Sequence, residues 1–267
     1  MATPISKELR KQVSKLGISH LIALSGLHLA ILWGVLFFLF RPLYRIFQQH
    51  YFPYRFDLID IGFLILMILG WFVWFVDSPA SLLRSYGMMV VGWAVLILNI
   101  ELVSFTLLAI VVMLLLLFFP KMLLSLAFWF SVVGVFYIFL IIKRFSELNK
   151  FLLTLIISFG ITILMLPIVH MVFPLTTTLQ FYAPLFSLGF SLFYPVSIFL
   201  HFIGMGGLFD GWLLELFSLE SQVSYREIDI IFGVGYILLS FGAVYFKRLF
   251  YLLFLVAFGF MGWIFLL

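Results

Sequence analysis

Gly17-Ile18-Ser19-His20-Leu21-Ile22-Ala23-Leu24-Ser25-Gly26-Leu27-His28-Leu29-Ala30-Ile31 is the stretch on which the reading of this chain turns. It opens an apolar run that continues from about Ser19 to Phe40 without a charged side chain, until Arg41, Pro42 and Arg45. A run of ~20 apolar residues is long enough to cross the hydrocarbon core of a bilayer as a helix. Two histidines and a Ser-Gly pair inside such a run are expensive in hydrocarbon, so they need partners or a task.

Outward from that stretch, the composition makes the same statement for the whole chain. Of 267 residues, 66% are hydrophobic, 20% aromatic and only 10% charged, with 36 phenylalanines. A soluble domain carries about 25% charged residues and must clothe its surface in polar groups. Soluble enzymes, nucleic-acid-binding globules and disordered chains are therefore excluded. The apolar runs are continuous, whereas a β-barrel needs alternation over ~10-residue strands. An all-α, polytopic transmembrane helical bundle follows. The net charge of +4 and pI near 9.3 come mostly from Lys and Arg at span ends, as expected of topology signals. With no cysteine, disulfides, thiolate zinc sites and thiol catalysis are absent.

Residues 1–16 read as a separate element. After Pro4, Ile5, Leu9, Val13 and Leu16 share one helical face and Lys7, Arg10, Lys11 and Lys15 take the rest, a basic amphipathic helix for an interface. Residues 17–267 form the transmembrane domain. After the first span, further spans are expected at about Leu58–Val76, Ser81–Ile100, Leu102–Phe119, Met122–Ile142, a sixth ending near Val172, Ile228–Phe246 and Leu249–Leu267. Between Phe173 and Gly207, Pro174, Pro184, Pro195 and several glycines suggest broken helices or a re-entrant hairpin, and Leu208–Glu227 an interfacial helix. The count is eight to nine spans. With nine alternating spans the basic residues divide almost evenly, so the positive-inside rule assigns no orientation.

Few polar groups lie deep enough to need a reason. His20 and His28, eight positions apart, sit about 80° apart and ~12 Å along a helix, so they do not chelate one ion by themselves. No metal and no cofactor is expected. Ser25-Gly26 offers a notch where another helix or a substrate can approach the backbone. Arg84 lies about three residues into an apolar run; it pairs with Asp77 or Glu101, snorkels to the interface, or lines an aqueous path. Ser81 belongs to the same structural group as Asp77 and Glu101, and Asn99 joins the polar candidates. Ala23-Leu24-Ser25-Gly26 is similar to a rhomboid-type nucleophile turn, but Ala23 stands where that motif has Gly. Nothing selects His170 or His201 as a base. No Gly-Lys dipeptide occurs, hence no P-loop, and there is no His-Glu-x-x-His helix. No enzymatic activity is expected.

Gly17, His20, Leu21, Ala23, Ser25, Gly26, Leu27 and His28 resemble the opening of the membrane Competence domain of the ComEC family, bacterial inner-membrane proteins that import transforming DNA. Ser81-x-x-Arg84 with Met88 is similar to that family's Ser-x-x-Arg-Ala-x-x-Met, with Ser85 in place of Ala. Ser104-Phe105 resembles a Leu-Ser-Phe element, with Val103 for Leu, and Leu166-Pro167, Phe173 and Pro195 resemble its later Pro-punctuated section. Larger members carry an N-terminal OB-like domain and often a C-terminal metallo-β-lactamase-like nuclease, and neither is read in this chain. The resemblance implies a channel for single-stranded DNA in the inner membrane, served by a helicase-like cytosolic ATPase and DNA-binding uptake proteins. A homo-oligomer is compatible with it. His20, Ser25, Gly26, His28, Arg84 and Asn99 are the expected path residues. A transporter or flippase for another anion, and a non-catalytic membrane scaffold, remain the alternatives.

Overall fold

The computed structural model describes residues 26–77, 80–98, 104–217 and 223–266. The amphipathic element at 1–16, His20, Ser25, Asn99 and Glu101 lie outside the described residues. The described chain is helical apart from one short ribbon. In order come α1 (Gly26–Tyr51), α2 (Asp57–Phe75), α3 (Ala80–Ile97), α4 (Phe105–Phe118), α5 (Leu126–Phe145) and α6 (Lys150–His170). Then follow β1 (Leu175–Thr177), α7 (Ala183–Phe202), α8 (Asp210–Phe217), β2 (Val223–Tyr225), α9 (Ile230–Tyr245) and α10 (Lys247–Leu266).

Among the described residues, six helical segments are long and apolar enough to cross a membrane: His28–Tyr51, Asp57–Phe75, Leu126–Phe145, Lys150–His170, Thr178–Phe202 and Lys247–Phe265. Three shorter apolar ones, Ser85–Ile97, Phe105–Phe118 and Ile230–Tyr245, accompany them. Together with the apolar composition these make the chain a membrane protein.

The first helix runs further than its sequence suggests. Arg41-Pro42 was expected to close the span near Phe40, yet α1 continues through Pro42 to Tyr51. A proline removes one backbone donor and crowds one carbonyl, and here side chains on either side of it tie the helix to α2. Arg41 Nε and Arg45 Nε donate to Asp57 Oδ2 at 2.9 and 3.0 Å, Arg55 Nε pairs with Asp60 Oδ2 at 3.1 Å, and Tyr44 hydrogen-bonds Asp60. Asp57 and Asp60 also occupy the first turn of α2, where the helix dipole favours acids.

The proline-rich region is less broken than expected. Pro184 occupies the first turn of α7, where its missing N–H costs nothing, and Pro195 sits inside a continuous helix. Gly204, at φ 79°, turns the chain after α7, and Phe209 then packs on Phe193 with ring centroids 5.6 Å apart. The chain thus doubles back along its own helix. Leu208–Glu227 is not a single helix: α8 is short, and Val223–Tyr225 pairs antiparallel with Leu175–Thr177, Thr176 facing Ser224. A β-branched, alternating segment suits an extended pairing, and each strand satisfies the other's backbone groups. The pairing also returns the chain to the end of the molecule where α6 finishes, so α9 runs antiparallel to α6.

Two cores organise the helices. In the first, Leu29, Val73 and Leu82 meet, and beside them Ile61, Ile65 and Leu69, among α1, α2 and α3. In the second, Tyr137, Leu140, Ile141, Leu164, Ile168, Tyr236, Ala243, Phe250, Leu253 and Ala257 form one continuous cluster among α5, α6, α9 and α10. Polar side chains stitch that second core. Tyr137 Oη and Ser240 Oγ lie 2.9 Å apart, Ser240 donates to the Tyr236 carbonyl at 2.8 Å, and Tyr236 to the Leu164 carbonyl at 2.9 Å. Such bonds hold helices together where lipid offers no hydrophobic drive. Between the two groups, α3 packs on α5 and α7 bridges α1 to α6. The helices α1, α3, α5, α6 and α7 therefore close a circuit of contacts, and α9 and α10 pack on α6.

Candidate functional site

The start of α1 is packed on both sides. Leu29 is wholly buried against Leu82 and Val73, which fixes the facing of the turn around it. Gly26 then abuts α3 so closely that an added Cβ would lie 3.0 Å from Ser85 Oγ. A side chain there would crowd Ser85, which would have to give by a few tenths of an ångström, so the notch expected at Ser25-Gly26 is filled by a neighbouring helix at its Gly26 half. Ser85 is the position where the resemblance to the Ser-x-x-Arg-Ala pattern departs, and a small residue is what the contact requires.

His28 is 4% exposed. Its ring meets the edges of Tyr194 and Phe190 on α7, with centroids 4.6 and 5.2 Å apart, and those two aromatics stack on each other at 5.7 Å. One turn of α1 thus makes both the α1–α3 and the α1–α7 joints. Phe190 and Tyr194 were not singled out from sequence. Their four-residue spacing puts them on one helix face, but among so many aromatics only the fold identifies the pair that meets His28.

The remaining candidates are placed unevenly. Ser81 and Arg84 belong to α3, one helical turn and one residue before Ser85, and their side chains lie outside the described residues. Asp77 follows α2 with φ 60°, is exposed, and makes no ion pair among the described residues. The structure therefore brings Gly26 and His28 together with the helix that carries Ser81 and Arg84. Of the two histidines weighed as bases, His170 is buried and held at both ring nitrogens, by Thr176 Oγ1 at 2.5 Å and the Leu166 carbonyl at 3.2 Å. His201 is exposed and bonds the Ser197 carbonyl at 2.8 Å. Among the described residues, no three His, Cys, Asp or Glu side chains converge to hold a metal ion.

Chemically, this arrangement is a seam. A histidine ring set edge-to-face with two aromatics lies one turn from a glycine packed on a serine, so α1 is joined here to both α3 and α7. No curated protein and no solved structure matches the chain significantly. The family model described as Competence protein matches residues 2–267, covering both blocks that meet at this seam. The chain belongs to the Competence protein family, in keeping with the membrane domain of ComEC-type competence proteins.

Proposed function

We propose that the chain forms the inner-membrane conduit through which single-stranded DNA enters the cytoplasm during natural transformation. The observation that carries the reading is the convergence of the two blocks most specific to the family. Gly26 meets Ser85, and His28 meets Phe190 and Tyr194, at two joints of the helix circuit. In this reading the circuit surrounds the path. Arg84, His20, Ser25 and Asn99 contribute charge and hydrogen bonds for phosphates, and aromatic faces receive the bases.

The topology that goes with it has eight crossings, by α1 to α6, α9 and α10. Residues 178–217 form a hairpin that does not cross but stays on one face. The β1–β2 pairing supports this count, because it holds both ends of that segment together. The three short helices, at ~1.5 Å per residue, then cross where the bilayer thins or packing shields their ends.

Work comes from elsewhere. A potential negative inside opposes anion entry by ~2.3 kcal/mol per charge per 100 mV, and the sequence holds no P-loop. A helicase-like cytosolic ATPase, or a strand-binding protein trapping the product, supplies the direction. The chain itself performs no bond chemistry in this reading.

The test is uptake of labelled single strands across the inner membrane in cells carrying His28→Ala or Arg84→Ala, with membrane insertion checked in parallel. Uptake is expected to fall about ten-fold or more, the effect of a barrier raised by ~1.4 kcal/mol. Normal uptake by a normally inserted pair of variants removes these residues from the path. A reconstituted chain that moves lipid or small anions but never retards single-stranded DNA replaces the conduit with a flippase.

A further inference from the structure

The α5–α6 and α9–α10 turns lie side by side at one end of the second helix group. Lys143 Nζ donates to the Val244 carbonyl at 3.2 Å, and Arg144 Nη2 donates to the Ala243 carbonyl at 2.8 Å. These two cations end α5 and also serve the last carbonyls of α9, a favourable place for positive charge. Lys143 further sits over the Phe105 ring and Arg144 over the Phe250 ring. They have a structural account, apart from the buried Arg144 Nε, which has no acceptor.

Lys150, Lys247 and Arg248 have no such account. Lys150 is the first residue of α6, and Lys247 and Arg248 are the first two of α10. The peptide dipoles are positive there, and an acid is the favoured neighbour. Neither helix has an acid in its first turn. The two helices run side by side in one direction, Gly160 lying against Phe254, so their positive ends stand at the same level. The turns thus gather Lys143, Arg144, Lys150, Lys247 and Arg248 against a single nearby carboxylate, Glu147. Among the described residues none of these cations forms an ion pair; all three ion pairs belong to the α1–α2 turn.

The surroundings indicate which anion. Phe151, Tyr245, Phe246 and Tyr251 flank the cations and are exposed, an aromatic girdle of the kind that sits at headgroup level. The helices α9 and α10 pack on α6, so the cap joins the ends of α5 and α6 to the turn between α9 and α10. We propose that the cap binds the phosphate of an anionic phospholipid headgroup, with Lys150, Lys247 and Arg248 as the cations that hold it. The inference does not depend on the chain moving DNA.

The test uses the full chain in neutral detergent, offered phosphatidylglycerol or phosphatidylcholine. Retained lipid is counted by native mass spectrometry and Tm is read alongside. Phosphatidylglycerol is expected to be retained preferentially and to raise Tm. The preference should fall about five-fold for each cation removed in K150Q, K247Q and R248Q. R45Q, whose cation is already paired with Asp57, should keep it. Should the combined variant not fold, K247Q alone carries the reading. Equal retention of the two lipids overturns the proposal, as does an unchanged preference in K247Q. Inorganic phosphate matching the lipid's effect on Tm would reassign the site to a free anion. A single-stranded oligonucleotide that raises Tm through the same residues, where the lipid does not, would reassign it to nucleic acid.

Discussion

The two helix groups bury their residues differently. Around α5, α6, α9 and α10 one continuous core runs through the group and is tied by Tyr137, Ser240 and Tyr236. Around α1, α2 and α3 the core falls into two smaller clusters, and the joints are a glycine against a serine and a histidine between aromatics. The second group is built as a fixed frame. The first holds the residues that resemble the family's motifs in contacts that need shape more than bulk.

The largest effect should come from the frame. Phe250→Ala empties a fully buried ring position in the second core and is expected to destabilise by about 3–5 kcal/mol, read as a lowered unfolding midpoint in detergent. If it behaves like a surface change, the frame has been put in the wrong group. Gly26→Val comes next, at about 1–3 kcal/mol, because its side chain would be driven into Ser85. Here DNA uptake should fall further than the loss of folded protein accounts for, whereas Phe250→Ala should lower uptake only in proportion to protein lost. That contrast separates seam from frame.

Smaller effects sharpen the picture. Tyr236→Phe removes the bond to the Leu164 carbonyl and should cost about 0.6 kcal/mol, in the range seen for interhelical bonds in membranes, leaving uptake intact. Smallest is the Arg45–Asp57 pair, half exposed at a helix end. A double-mutant cycle should return about 0.2–1 kcal/mol, shrinking as salt is raised. A coupling that does not respond to salt would mean this turn is packed far more tightly than its exposure indicates.

Much of the helix register was readable from the sequence because it is local. Asp57 and Pro120 mark ends that the structure places within a few residues of expectation, since charges and prolines stop apolar runs wherever they fall. The errors share a cause as well. Pro42 did not end α1, because Arg41, Arg45 and Tyr44 find acids on α2, a contact between helices and not along one. Val223–Tyr225 did not extend a helix, because its partner strand lies far back at Leu175–Thr177. Of the site, Gly26 and His28 were legible as polar or small exceptions in a run of hydrocarbon, while Phe190 and Tyr194 were indistinguishable from the chain's many other aromatics.

The sequence by itself determined the class of protein, its all-helical build and its family resemblance. Continuous apolar runs admit no other structure in a bilayer, and the motif residues are adjacent in the chain. Only the tertiary structure decided which exceptions meet: Gly26 with Ser85, His28 with Tyr194, and the end of α5 with the end of α9. Those meetings depend on how helices pack and on a strand pairing across the α7–α8 hairpin. Packing is a property of the whole chain, and no local window of residues contains it.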